Sequence, residues 1–177
     1  MPGPTIQTSI HGKRFGLSKN TEVVFNDANL EMVNATIIPQ YRTRISLTAA
    51  QVLAGFSAPV ELVAAPGAGF ALIVSRIDVS KAAGTAFGGI AAGEDMIFVY
   101  SGGAIQVVNS LETTGFLDST VDEMRISRHL PVALGFDFTA QANTAIDYEL
   151  LVADITLGSP VIFDVYFERV NLTALTV

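Results

Sequence analysis

Apolar positions in this chain come in short runs, each closed by glycine, proline or a charged residue, and the longest runs alternate. In "VIFDVYFERV", Val161, Phe163, Val165 and Phe167 fall on one side, and Ile162, Asp164, Tyr166 and Glu168 on the other. That is the period of a strand with one face on a core. Residues 70–79 read the same way: Phe70, Leu72 and Val74 oppose Ala71, Ile73 and Ser75, and Ile77 and Val79 point away from Arg76 and Asp78. Further strands are expected at 22–25, 35–38, 60–64, 96–100, 104–108, 131–138 and 148–155, with Gly102-Gly103 marking a hairpin. Two places carry helix signals. Residues 45–55 offer Thr48 as an N-cap and Gly55 as a stop, and "LDSTVDEMRISR" offers Asp118 or Ser119 as the cap of a two-turn helix. That second helix would turn Val121, Met124 and Ile126 inward, with Asp122 and Glu123 near its positive end. Many strands, tight turns and so little helix predict an all-β chain, a jelly-roll-like β-sandwich over 45–177 preceded by an extended N-terminal arm over 1–44.

Composition narrows the partners. Hydrophobic residues make up 50% of the chain and charged ones 15%, and mean hydropathy is +0.46, so surfaces buried by assembly are expected. No apolar run approaches the roughly 18 residues of a membrane span, so no integral membrane protein is expected. The start, Met1-Pro2-Gly3-Pro4, lacks a basic and then apolar signal, which predicts synthesis in a cytoplasm. The absence of cysteine removes disulfides and thiolate chemistry. A net charge of -7 argues against a nucleic-acid partner. The charge is uneven: Lys13, Arg14, Lys19, Arg42 and Arg44 against Glu22, Asp27 and Glu31 give the first 44 residues +2, leaving -9 for the rest.

The Pro66-Gly67-Ala68-Gly69 tip resembles a phosphate loop only in its glycines, since Phe-Ala-Leu-Ile-Val follows where a Lys, a Ser or Thr and a helix are required. It is expected to turn a corner. His11 and His129 stand outside any metal-ligand spacing, and no Gly-x-Ser-x-Gly elbow occurs. Asp147, Glu149, Asp154, Asp164 and Glu168 read as solvated strand faces rather than a glycosidase pair, and Glu94-Asp95 lacks an EF-hand frame. Two sequons, at Asn34 and Asn171, are discounted without a secretory signal, and with no Trp and four Tyr a sugar-stacking platform is poorly supplied. The expectation is no enzyme, no cofactor and no metal.

Three stretches carry a resemblance: Pro59-Val60-Glu61-Leu62-Val63-Ala64-Ala65-Pro66-Gly67-Ala68-Gly69, Gly115-Phe116-Leu117-Asp118, and Val165-Tyr166-Phe167-Glu168-Arg169-Val170. Over residues 45 to 172 the chain resembles the capsid decoration, or cement, proteins of tailed bacteriophages, whose β-sandwich bodies are often trimeric. The motifs describe turns and strands rather than a reaction. The resemblance implies a structural virion protein on the outer surface of a phage head, made in the host bacterial cytoplasm. Its partners would be the major capsid protein and itself, as a homotrimer. Contacts to shell or neighbouring subunit are expected from Ile10, Lys13, Arg14, Phe15 and Leu17, with Arg42 and Arg44 second. The leader matches no motif of that family. Alternative readings are a head-tail connector or tail component, and a jelly-roll carbohydrate-binding module or adhesin.

Overall fold

The computed structural model describes residues 40–103, 105–129 and 140–172, together with the backbone of β1 (Val23–Phe25) and β2 (Met32–Asn34). The chain divides into two compact units, Met1–Ile38 and Pro39–Val177. In the first, β1 and β2 pair antiparallel. The strands expected at 35–38 and 131–138 lie outside the described residues, as do Ile10, Lys13, Arg14, Phe15 and Leu17.

Among its described residues the second unit is all-β, in antiparallel sheets, with one five-residue helix. Its elements are β3 (Tyr41–Leu47), α1 (Ala49–Leu53), β4 (Val60–Val63), β5 (Phe70–Lys81), β6 (Phe87–Gly88), β7 (Asp95–Tyr100), β8 (Leu111–Glu112), β9 (Glu123–Arg128), β10 (Ile146–Leu150), β11 (Thr156–Leu157) and β12 (Val161–Asn171). One four-stranded sheet has the order β3-β12-β5-β9, the other β4-β10-β7-β8, and β6 pairs with β11 in a small third. The long alternating runs became the two central strands of the first sheet. Val161, Phe163 and Val165 of β12 and Ile77 and Val79 of β5 turn inward. Met96, Phe98 and Tyr100 of β7 and Ile146, Tyr148 and Leu150 of β10 meet them from the second sheet, in one continuous core. At its centre Phe163 lies 5.3 Å from the Tyr148 ring and 6.2 Å, edge-on, from Phe98.

Local chemistry explains the turns. Thr48 caps α1 with a reciprocal capping box to Gln51, so the helical turn read at 45–55 forms, though only from Ala49, because 45–47 are already paired with β12. The Pro66–Gly69 tip is a corner between sheets: Phe70 N–H donates to the Gly67 carbonyl at 3.2 Å, and Gly67 and Gly69 both sit at positive φ. Gly102 and Gly103 turn a hairpin in which Tyr100 N–H donates to Ile105 and Val107 N–H to Phe98. Beyond it the strand expected at 104–108 is reduced to isolated bridges at Gln106 and Val108. The strand expected to run to residue 155 stops at Leu150, where Glu94 takes over the next backbone donors.

The helix expected in "LDSTVDEMRISR" is absent; its second half is β9, the edge strand of the first sheet. Each capping side chain is spent elsewhere. Asp118 accepts from Gly115 N–H, Ser119 from Val121 N–H, and Asp122 from Ala83 N–H. The backbone of 123–128 finds its partners on β5 instead. The inward residues are also reversed: Glu123, Arg125 and Ser127 take the inner side, while Val121, Met124 and Ile126 are 58%, 62% and 42% exposed.

Candidate functional site

The outer face of the first sheet is built from residues that strand register places side by side. Across β3, β12, β5 and β9 one row reads Arg44, Asp164, Asp78, Ile126, the next Arg42, Tyr166, Arg76, Arg128, and a third Ser46, Ile162, Ser80, Met124. Asp164 and Asp78 stand directly opposite each other, a pairing that repels unless cations intervene. Arginines do so from both flanks. Arg44 Nε donates to Asp164 Oδ1 at 2.9 Å and Arg44 Nη2 to Oδ2 at 2.7 Å, while Arg42 Nε adds a bond to Oδ1 at 3.0 Å. Arg76 Nε lies 3.0 Å from Asp78 Oδ1, bent away from hydrogen-bond geometry. Tyr166 sits among the guanidinium groups, with Arg76 at 4.1 Å and Arg42 at 5.6 Å from its ring centre.

These contacts hold the arginines by one edge and leave the other to solvent: the side chains of Arg42 and Arg44 are 47% and 62% exposed over an Asp164 that is nearly buried. Of the contact residues read from sequence, Arg42 and Arg44 are therefore brought together, in the body sheet rather than in an arm. The Arg44 hydrogen bonds, helped by Arg42 and opposed by burial, hold the Asp164 carboxyl below its ordinary value, and the same contact raises the Arg44 guanidinium. A carboxyl depressed in the folded state contributes stability that is complete above its unfolded value, about 3.9, and is lost as pH falls through the lower folded one. Asp164→Asn is expected to lower Tm at neutral pH by about 2–4 °C. It should also flatten the loss of stability below about pH 4, as followed by thermal melts across pH.

The opposite outer face, on the second sheet, carries Glu61, Asp147 and Glu149 with Asp95 and Glu112, and no base shares those register positions. Beside Glu149 lies an open groove of about 480 Å³, walled by Phe56, Ile97, Val99, Gln106, Glu149 and Leu151 among others. Burial, and secondarily the neighbouring Asp147, push the Glu149 carboxyl up. Asp147 is 7% exposed, and among the described residues neither carboxylate has a hydrogen-bond or ion-pair partner.

The other candidate groups serve the fold. Glu94, 1% exposed, accepts from Val152 N–H at 3.0 Å and Ala153 N–H at 2.9 Å. Asp154 accepts from the backbone of Phe56 and Ser57, and the Ser57 hydrogen bonds hold its carboxyl below the ordinary value. Lys81, equally buried, donates to the Ser119 carbonyl at 2.7 Å and closes the loop leading into β9. His129 points Nδ1 at the Val74 carbonyl. Burial pushes Tyr100 up to about 12 and Tyr148 higher still, Glu94 and Asp154 adding to the latter, and both hydroxyls donate to carbonyls, of Leu72 and Val52. Among the described residues no group of three metal-ligating side chains converges, and no helix is long and apolar enough to cross a membrane.

Sequence reading named Arg42 and Arg44 but not Arg76, Arg128 or the apolar edge of β9, which the same sheet sets beside them. The missed signal was the two-residue period of Met124 and Ile126 against Glu123, Arg125 and Ser127. Compared with known proteins, the chain matches no family model, no curated protein and no solved structure.

Proposed function

We propose that this chain is a non-enzymatic structural virion protein, a capsid decoration protein that binds the outer surface of a phage head and reinforces the shell. The observation that carries the reading is the outer face of β3-β12-β5-β9. It offers arginines braced on Asp164 and Asp78 beside the exposed Val121, Met124 and Ile126, a mixture of Arg, Tyr, Met and aliphatic side chains suited to contact with protein. The strand order supports a jelly roll: numbering the eight strands of the two large sheets along the chain, the sheets read first-eighth-third-sixth and second-seventh-fourth-fifth. The buried charged groups Glu94 and Lys81 are tied to backbone, which suits a clamp better than a catalyst.

In this reading the basic leader, with Ile10, Lys13, Arg14, Phe15 and Leu17, contributes to attachment, the major capsid protein is the partner, and copies associate as a homotrimer. Localisation is the capsid surface, after synthesis in the host bacterial cytoplasm. The test is co-sedimentation of the purified chain with heads of the phage that encodes it, stripped of this protein. The full chain is expected to pellet with heads, and a chain beginning at Gln40 to pellet less or to lose its oligomeric state. No binding by the full chain would refute the reading.

A further inference from the structure

The two outer faces of the sandwich have complementary chemistry. On one, Arg42, Arg44, Arg76 and Arg128 outnumber Asp78, Asp164 and Glu168; on the other, Glu61, Asp95, Glu112, Asp147 and Glu149 share their register positions with no base. Each also has an apolar element of matching form. The basic face ends in a projecting edge, Met124 and Ile126 on β9 with Val121 just before it, whereas the acidic face is indented by the groove of Phe56, Ile97, Val99 and Leu151.

We propose that the β9 edge of one copy docks into the acidic groove of a second copy, with Met124 and Ile126 against its apolar walls and Arg128 on Glu149 and Asp147. Two charged groups without an ion-pair partner among the described residues point to this occupant. Arg128 is exposed and makes no ion pair among the described residues. Asp147, 7% exposed as a residue, has no hydrogen bond or ion pair among the described residues, which leaves its carboxylate open to a cation. A guanidinium delivered between Asp147 and Glu149 offsets their mutual repulsion, which adds to burial in keeping the Glu149 carboxyl raised. The net excess of one positive charge on the basic face, interrupted by Asp78, Asp164 and Glu168, fits carboxylates set in an apolar surface better than a continuous polyanion.

Such a contact joins two different patches and is therefore heterologous. It closes into a ring when the rotation per copy divides a full turn and otherwise grows open chains. It stands apart from shell attachment, because it is formed by the purified chain alone.

The test is sedimentation velocity of the full chain, without shells, over a range of concentration and salt. Wild type is expected to self-associate, and less so at high salt. Arg128→Glu, Met124→Lys and Glu149→Arg are each expected to weaken association by about tenfold or more with an unchanged circular dichroism spectrum. Mixing Met124→Lys, whose edge is disabled, with Glu149→Arg, whose groove is disabled, should leave one working contact, the Arg128 edge of the second in the groove of the first, and so a one-to-one heterodimer that grows no further. A monomeric wild type, variants that associate like wild type, or a mixture that stays monomeric would overturn the proposal. Wild-type association without head binding would leave this inference standing and remove the shell reading.

Discussion

Replacing Phe163 by alanine is expected to destabilise the body by about 3–5 kcal/mol, the range for truncating a large aromatic in a packed core. The residue is fully buried on β12, the strand that pairs with both β3 and β5. Its ring is the joint between sheets, touching Tyr148 of β10 and Phe98 of β7. Removing it leaves a cavity that the surrounding β-ladders hold open, because Val161 and Val165 are fixed in register on either side. Urea unfolding should show a lower midpoint with an unchanged m-value. Phe163→Leu, which fills most of the space, should recover much of the loss.

Glu94→Ala is expected to cost about 2–4 kcal/mol through a different cause, the loss of both acceptors for the Val152 and Ala153 N–H groups. No strand partner takes those donors, since β10 has ended at Leu150. Glu94→Gln should fall between, keeping one acceptor but turning an amide donor toward the second N–H. The segment Glu94 fixes also carries Leu151, a wall of the groove. Glu94→Ala should therefore weaken self-association beyond what its melting temperature accounts for, and sedimentation of folded protein well below Tm separates the two effects.

Much of the fold was legible because burial writes itself into period. The alternation in β5 and β12 is forced by one face on the core, and the Pro66–Gly69 corner follows from Gly67 and Gly69 at positive φ. β9 was misread because its pattern is inverted: an edge strand with apolar residues outward and Glu123, Arg125 and Ser127 inward offers no core stripe, and its flanking Asp118, Ser119 and Asp122 look like helix caps. The inversion is itself informative, since an apolar outward edge is a liability unless something covers it. The arginine face was half legible. Arg42 and Arg44 stood out as basic residues but were assigned to the arm, with no strand expected at 41–47, and Arg76 and Arg128 join them only through the register of β12 on β5 and of β5 on β9, which no linear pattern records. The groove was illegible for the same reason, being assembled from Phe56, the β7 face and Glu149.

The most direct test of the proposed decoration role is the copy number of this chain on purified phage particles, by quantitative mass spectrometry against the major capsid protein. A decoration protein predicts many copies, in a fixed ratio to the capsid protein, lost together when heads are stripped. A dozen or fewer per particle would place the chain at a single vertex or in the tail, and absence from particles would contradict a virion role altogether.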